Sequence, residues 1–229
     1  AAVCMSDVSR ETAALAEYAA MLRKWNPAIN LVSPTTLDEI ETRHIADSRA
    51  LADIAPTAAG NWVDLGSGGG FPGMVVAICR PDLQVILVES DRRKASFLRS
   101  VTREIGLKNA TVIADRIESV DPLNAASVSA RALASLPQLM AYVHRHLHPD
   151  GKAWLMKGRN WQAEVAEARE IWSFDLIAHP SSTDSEAAIL EISGINHVCF
   201  GLIRVFQNRF QRLEHRIAIQ LGRHAHVAV

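Results

Sequence analysis

The residues best suited to chemistry lie in a glycine-rich turn between two apolar segments. Trp62, Val63 and Leu65 form a short apolar run, and the segment Gly66–Gly73, GSGGGFPG, precedes a second apolar run. A strand, a glycine-rich turn and a helix start, in that order, form a binding site for the polar part of a nucleotide-like ligand. Glycine is needed because a side chain would block the ligand's approach to the backbone, and because tight turns often require positive φ.

Two classes of nucleoside cofactor compete for this turn. The segment Gly68–Gly73 satisfies the dinucleotide pattern G-x-G-x-x-G, which is weak evidence alone. Counted from the strand, the segment Asp64–Gly70 has the spacing D-x-G-x-G-x-G, which is similar to the first motif of class I S-adenosylmethionine (SAM) methyltransferases. The next predicted strand ends in Glu89, twenty-three residues after Gly66, where a carboxylate can accept hydrogen bonds from both ribose hydroxyls of either cofactor. Glycines in an ordinary tight turn are the structural alternative.

Composition limits the remaining possibilities. The 229 residues suit one α/β domain with a small extension. A formal net charge of −1 gives no global attraction to nucleic acid, so an RNA contact would need a local basic patch. Cys4, Cys79 and Cys199 lack metal-ligand spacing, so we expect a reducing cytoplasm and no metal. No apolar run reaches membrane-spanning length, so no membrane association is expected, and a monomer is the default.

Apolar strand patterns alternate with helix patterns from Asn61 onward, which predicts a mostly parallel sheet with helices on both faces. The predicted strands are 62–65, 84–89, 111–114, 126–130 and 152–157, and a hairpin of 174–179 and 188–192 completes a seven-stranded sheet. The predicted helices of this region are 72–79, 91–105, 136–146 and 161–172.

A ligand in such a fold binds at the carboxyl ends of the strands. That rule selects Gly66, Glu89, the turn 115–118, Arg131 and Lys157. If the ligand is SAM, the residues after the third strand meet the adenine, with Ile117 packing on the ring and Glu118 near its polar edge. An exposed acid at a helix start is an equally good interpretation of Glu118. The alternative for Arg131 is an ion pair with Asp64 or Glu89 at the sheet edge.

The N-terminal region is predicted to be helical. Apolar spacing predicts a first helix that ends at Pro27, and a second helix from Thr36 to Leu51. On the second helix, four polar residues fall at spacings that bring several of them near one face: Arg43, His44, Asp47 and Ser48. A local ion pair of His44 and Asp47 on the helix surface is the favoured interpretation from spacing alone.

Several segments together identify a family resemblance. The chain resembles the RsmG (earlier GidB) family of bacterial 16S ribosomal RNA (guanine-N7) methyltransferases, and its alphaproteobacterial members most, from about Val8 to Val198. The segments that carry the resemblance are Lys24–Asn26, Ile29–Ser33, Arg43–Ser48, Val63–Gly73, Val88–Ser90, Lys94 with Phe97–Arg99, Ser129–Ala132 and Lys157–Gly158.

The resemblance implies a class I methyltransferase fold with a short N-terminal helical extension, and methyl transfer from SAM to N7 of one guanine, leaving S-adenosylhomocysteine. Its cofactor contacts fall on Gly66, Phe71, Ile117, Glu118 and Arg131; Gly68 belongs to the first motif, and Glu89 is the general class I ribose acceptor. Guanine N7 carries no proton, so no general base is required. Arg131 is expected to orient the base, with Asn30, His44 and Asp47 as further catalytic candidates on the other wall.

The implied partner is 16S ribosomal RNA, naked or within the small ribosomal subunit. The basic residues considered for RNA contact are Arg23, Lys24, Arg43, Arg92, Arg93, Lys94, Arg99, Arg103 and Lys157. The predicted organisation is a helical extension at 8–55, a SAM-binding domain at 60–198 and a C-terminal extension at 199–229, which departs from the family pattern. Two alternatives stay open: a SAM enzyme acting on a small molecule or protein, and a dinucleotide-binding redox or regulatory protein.

Overall fold

The glycine-rich turn lies at the centre of a seven-stranded sheet in the computed structural model, which describes residues 5–55 and 60–198. The strands are β1 (Asn61–Leu65), β2 (Gln84–Val88), β3 (Ala110–Ile113), β4 (Ala125–Arg131), β5 (Leu147–Lys157), β6 (Trp172–Pro180) and β7 (Ala188–His197). Their order is β3-β2-β1-β4-β5-β7-β6. Neighbours among β1 to β5 pair in parallel, whereas β7 pairs antiparallel with β5. The predicted mostly parallel seven-stranded sheet is therefore confirmed.

Strand β1 has β2 on one side and β4 on the other, so the order of winding reverses at this strand. The register places Asp64 beside Leu87 of β2 and Ser129 of β4. In open α/β sheets such a switch point leaves a crevice beyond the carboxyl ends of the strands, where ligands bind. The glycine-rich turn follows β1 directly into that crevice.

Helices cover both faces of the sheet. The α-helices are α1 (Met5–Ile29), α2 (Ala46–Ile54), α3 (Gly73–Cys79), α4 (Arg92–Ile105), α5 (Leu136–His146) and α6 (Trp161–Arg169). Trp62 belongs to a hydrophobic cluster with residues of α1 to α4, whereas Val63 belongs to a second cluster with residues of α5 and α6. Because successive strand residues face opposite sides, these clusters are the two core layers.

The N-terminal helix runs past the residue at which its end was predicted. Pro27 lies inside α1, which continues to Ile29, so the prediction that proline ends the helix was wrong. Proline removes one backbone donor, but the amide of Asn30 still donates to the carbonyl of Asn26 at 2.9 Å. The helix ends where Asn30 takes a φ of 49°. The side chain of Asn26 is buried, and its Oδ1 accepts from the amides of Leu31 and Val32 at 2.8 and 2.9 Å.

The predicted second helix is three helical segments of different pitch. A 3₁₀ turn spans Pro34–Glu39, a π-helical segment spans Ile40–Ile45, and α2 follows. The prediction of one regular α-helix from Thr36 to Leu51 was therefore wrong. A π-helical segment widens the turn and changes which residues share a face, and such segments are frequent at functional sites.

The sheet elements match their predicted positions with small shifts. Strand β5 begins at Leu147 rather than Lys152, and α6 ends at Arg169, before the predicted Trp172, because Trp172 starts β6. Within the described part of the chain, the residues up to Asn196 form one compact unit. The predicted C-terminal extension, 199–229, lies outside the described residues. Among the helices of the described part, none is long and apolar enough to cross a membrane.

Replacing Asn26 by alanine should destabilise the fold, because two backbone amides lose their acceptor. We expect the free energy of unfolding in urea to fall by about 2–4 kcal/mol, since each buried unsatisfied group costs about 1–3 kcal/mol. Lys24→Ala, an exposed change on the same helix, is the matched control and should change it by less than about 0.5 kcal/mol. Equal stabilities of the two variants would contradict this role of Asn26.

Candidate functional site

A cleft of about 650 Å³ opens at the carboxyl ends of the central strands. Its walls come from the turn after α1, the 3₁₀ and π segments, the glycine-rich turn and the ends of β2 and β4. All seven predicted cofactor residues line it: Gly66, Gly68, Phe71, Glu89, Ile117, Glu118 and Arg131. Its volume lies within the range of about 300–1,000 Å³ that is usual for small-molecule sites.

Two glycines show why this turn excludes other residues. Gly66 has a φ of 65°, and a Cβ atom there would lie 2.5 Å from Leu133 Cδ1. Gly68 has a φ of 56°, but the nearest atom to its Cβ position is the Gly66 carbonyl oxygen at 3.8 Å. The space over Gly68 is therefore open toward the cleft, and a ligand can approach its backbone closely.

The N-terminal helix holds the glycine-rich turn in place. The buried Tyr18 of α1 donates its hydroxyl hydrogen to the Gly69 carbonyl at 2.6 Å. Burial, followed by the nearby Asp64, raises the pKa of Tyr18 well above 10, so the hydroxyl remains a donor. The Tyr18 ring also packs on Phe71, with 5.5 Å between ring centroids. Sequence reasoning did not assign Tyr18 to the site, because its spacing is that of an ordinary core position of a helix.

Glu89 links the glycine-rich turn to the start of α4. Its Oε2 accepts from the amide of Gly68, and its Oε1 accepts from the amide of Asp91, both at 2.7 Å. Each carboxylate oxygen has a second lone pair that these bonds leave available. The predicted ribose acceptor therefore lies at the cleft with capacity for further donors.

An apolar residue, Ile117, and an acidic residue, Glu118, lie next to each other in the wall of the cleft. Ile117 lines the cleft and is largely buried, whereas Glu118 is exposed and accepts a hydrogen bond from the Tyr142 hydroxyl at 2.9 Å. A hydrogen bond from its own backbone amide, followed by the bond from Tyr142, lowers the pKa of Glu118. An apolar surface beside an acceptor suits a flat heterocycle with a donor on its edge.

Arg131 is paired with Asp47, not with Asp64 or Glu89 as the alternative interpretation proposed. Arg131 Nη2 lies 3.9 Å from Asp47 Oδ2, and the two side chains are 18% and 12% exposed. The guanidinium carbon lies 5.9 Å from the centroid of the Phe71 ring. Burial lowers the pKa of Arg131, and Asp47 opposes that effect. Within the described residues, Arg131 Nη1 is buried and has no hydrogen-bond partner.

His44 and Asp47 do not form the surface pair that spacing alone favoured. The ring of His44 packs on Phe71 with 5.2 Å between centroids, and its Nε2 is 2.9 Å from Thr36 Oγ1. Burial, together with the charges of Arg131 and Arg43, lowers the pKa of His44 to about 4. The ring is therefore neutral at physiological pH. Ser48, in the first turn of α2, is buried, and its hydroxyl donates to the carbonyl of His44.

A second cavity of about 570 Å³ adjoins the cleft. Arg43 and the segment Arg131–Ala134 line both spaces, whereas Asp47 lines only the second. The loop after β6 forms its far side, and there Ser181 and Thr183 donate to Asp47 Oδ1 at 3.0 and 2.6 Å. The site thus has two compartments with Arg131 between them.

Other candidate residues have structural roles. Lys157 is 9% exposed and lines the second cavity, where it donates at 2.7 Å both to the Ala134 carbonyl and to Glu164. Asn30 is exposed at the turn after α1 and lines neither space. Asn26, four residues earlier, shapes that turn instead. Across residues 5–55 and 60–198, no group of three or more His, Cys, Asp or Glu residues is arranged to hold a metal ion.

Comparison with known proteins gives one consistent family. Residues 11–191 match the family model "GidB: rRNA small subunit methyltransferase G". The chain is 65% identical over 190 residues to the ribosomal RNA small subunit methyltransferase G of Paracoccus denitrificans, covering 83% of this chain and 98% of that protein. It is 46% identical over 197 residues to the protein of the same name from Cereibacter sphaeroides, covering 84% and 95%.

Solved structures support the fold. A crystal structure of a putative SAM-dependent methyltransferase from Methanococcus maripaludis superposes with a TM-score of 0.55 at 14% identity, covering 72% of this chain and 94% of that one. At this low identity the likeness concerns the fold alone.

Titration of the His44 ring by NMR should give a pKa of about 4. Because this value lies below the ordinary 6.5, the protonated ring disfavours the fold. Protonation of His44 therefore does not change the free energy of unfolding above pH 6.5, and it lowers that free energy progressively as the pH falls toward 4.

Arg131→Met removes a nearby positive charge and should raise the pKa of His44. A native pKa near 6.5, or no change in the variant, would contradict the proposed environment.

Proposed function

The chain belongs to the rRNA small subunit methyltransferase G (GidB) family, and we propose that it transfers a methyl group from SAM to N7 of one guanine in 16S ribosomal RNA. The observation that carries this proposal is the position of Arg131, a largely buried guanidinium that lines both compartments of the site. One compartment is suited to the nucleoside cofactor and the other to a base, so a single side chain reaches both ligands.

The residues of the first compartment fit SAM. The open space over Gly68 admits the polar chain of the cofactor, and Glu89 has lone pairs for ribose hydroxyls. Ile117 offers an apolar surface to the adenine, and Glu118 offers an acceptor to its amino group. When bound, SAM supplies an electrophilic methyl group on a sulfonium sulfur, which retains the electron pair of the broken bond as S-adenosylhomocysteine forms.

The chain's own residues need not remove a proton. Guanine N7 presents a free lone pair in the plane of the ring, so the protein's task is to align this atom with the methyl group. Arg131 suits that task because arginine donates readily to guanine O6, which neighbours N7. A donor to N7 itself would occupy the attacking lone pair, so we assign Arg131 to O6.

The electrostatic environment suits a base that becomes cationic. Methylation of N7 places a positive charge on guanine, and a neutral His44 does not repel it. Asp47 adds a carboxylate on the side of the second compartment. Arg131 would oppose the new charge, but its pairing with Asp47 partly offsets this effect.

The proposed partner is the small ribosomal subunit or its free 16S RNA, and the chain acts on it as a cytoplasmic monomer. The target guanine must leave its stack to reach the second compartment, so an accessible loop is the expected site. Of the basic residues considered, Arg43, Lys94 and Lys157 line the site, and Arg43 and Lys94 can contact the phosphates that flank the base.

Tritium transfer from labelled SAM tests the reaction. Small subunits that lack the modification, and naked 16S RNA, should acquire label that hydrolysis releases as 7-methylguanine. Arg131→Ala should lower the rate by at least about 100-fold, because it removes a positioning contact of the transition state. The matched control is Arg10→Ala, an exposed change on α1, which should leave the rate unchanged.

Label at another guanine atom would overturn the N7 assignment. No label on either RNA, with SAM binding intact, would overturn the substrate assignment and favour a small-molecule or protein acceptor.

Calorimetry should distinguish the two acids of the cofactor compartment. Glu89→Gln replaces one acceptor oxygen by an amide donor beside the amides of Gly68 and Asp91. We expect its Kd for SAM to rise by about 10- to 100-fold, the loss of one or two charged hydrogen bonds. Glu118→Gln, the same change at an exposed position, should raise Kd by less than about threefold. Equal effects would show that Glu89 is not the principal polar contact.

A further inference from the structure

The second compartment contains a donor and an acceptor side by side. Asp47 uses one oxygen, Oδ1, to accept from the hydroxyls of Ser181 and Thr183. Its other oxygen, Oδ2, lies 3.9 Å from Arg131 Nη2, which is longer than a direct hydrogen bond. Arg131 also has a buried Nη1 without a partner among the described residues. The pair is therefore close enough to act on one ligand and has hydrogen-bonding capacity left for it.

The compartment also has a surface for the flat face of a base. Three apolar side chains line it, namely Leu133, Met156 and Ile189, and Ala188 lies beside them. A volume of about 570 Å³ exceeds what a nucleobase needs, which leaves room for the sugar and phosphate. An apolar face with a few fixed polar groups is the usual construction of a site that binds an extruded base.

The order of these groups matches one edge of guanine. Along that edge the atoms follow as N7, O6 and N1–H, which are an acceptor, an acceptor and a donor. In the protein, the cofactor compartment comes first, then Arg131, which lines both compartments, and then Asp47, which lines only the second. When the guanine is oriented with N7 toward the cofactor compartment, its O6 therefore lies near Arg131 and its N1–H lies near Asp47.

From this arrangement we infer that Asp47 accepts the N1–H of the target guanine while Arg131 donates to its O6, so that the pair selects guanine over adenine. Adenine presents an amino group where guanine has O6, and a lone pair where guanine has N1–H. Both contacts would then be reversed, donor facing donor and acceptor facing acceptor, and a mismatch of buried polar groups is costly. The inference rests on the proposed function, because it assigns the base that the second compartment binds.

Ser181 and Thr183 then act as positioning residues. Their hydroxyls fix the orientation of the Asp47 carboxylate from the loop between β6 and β7, and Ser181 Oγ also accepts from the amides of Thr183 and Asp184. The loop thereby holds Oδ2 toward Arg131.

Base analogues at the mapped target position test the inference. Three ligated RNAs carry guanine, inosine or 2-aminopurine at that position. Inosine keeps O6 and N1–H and lacks only the 2-amino group, whereas 2-aminopurine lacks O6 and has a bare N1. The native protein should methylate inosine within about threefold of guanine and 2-aminopurine at least about 100-fold more slowly, the loss of two contacts to charged groups.

Substitutions then assign the discrimination to Asp47. In Asp47→Ala, the ratio of the guanine rate to the 2-aminopurine rate should fall at least about 10-fold, because one of the two contacts is absent. The double variant Ser181→Ala, Thr183→Val keeps the carboxylate but loosens its orientation, so its ratio should fall less than the ratio of Asp47→Ala. Because both rates are measured on the same variant, a partial loss of folded protein lowers them equally and leaves their ratio unaffected. If a variant has no measurable turnover, the ratio of the Kd values for the same RNAs replaces the ratio of rates.

The outcomes separate the two proposals. Failure of the native protein to label the guanine RNA would overturn the proposed function. Labelling of guanine and 2-aminopurine at equal rates, or a ratio that stays at its native size in Asp47→Ala, would overturn only the assignment of Asp47.

Discussion

The packing of Phe71 is the contact on which the rest of the site depends. Its ring, at the end of the glycine-rich turn, meets Tyr18 from α1, His44 from the π segment and Arg131 from β4. These three residues are far apart in sequence, so this one side chain brings the helical extension, the turn and the central sheet to a common point. Aromatic and cation–π contacts of this kind add directional preference to the area they bury, which fixes relative orientation as well as proximity.

Beneath this cluster, a buried polar network ties β1 to β4. Trp62 Nε1 donates to Ser129 Oγ at 2.8 Å, and Ser129 Oγ donates to Asp64 Oδ1 at 2.6 Å. Burial raises the pKa of Asp64 to about 6. Asp64 lies directly against Gly73, where a Cβ atom would be 2.5 Å from that of Asp64. The network therefore fixes the position of Gly73, where the glycine-rich turn ends and α3 begins.

The charged residues of the site form two sets with different tasks. Glu89, held by backbone amides, and Lys157, held by Glu164 and the Ala134 carbonyl, fix loops around the site. Arg131 and Asp47 instead face a space that can hold a ligand, with His44 neutral beside them. Lys157 makes its hydrogen bonds within the protein, whereas Glu89, Arg131 and Asp47 keep some hydrogen-bonding capacity open for a ligand. This difference, more than the number of charges, distinguishes binding residues from structural ones.

The sequence by itself determined the sheet, the glycine-rich turn and the acid at the end of β2, because strand periodicity and turn chemistry are local properties of the chain. It also indicated Arg131, since the carboxyl ends of parallel strands share one edge. It could not determine the partner of Arg131, the neutral state of His44 or the role of Tyr18, since each depends on contacts between segments distant along the chain. The π segment was equally hidden, because its wide turn is stabilised by tertiary packing rather than by residue propensity. Only the tertiary structure decided that Asp47 faces the site, because the loop from β6 to β7 and the end of β4 meet it there.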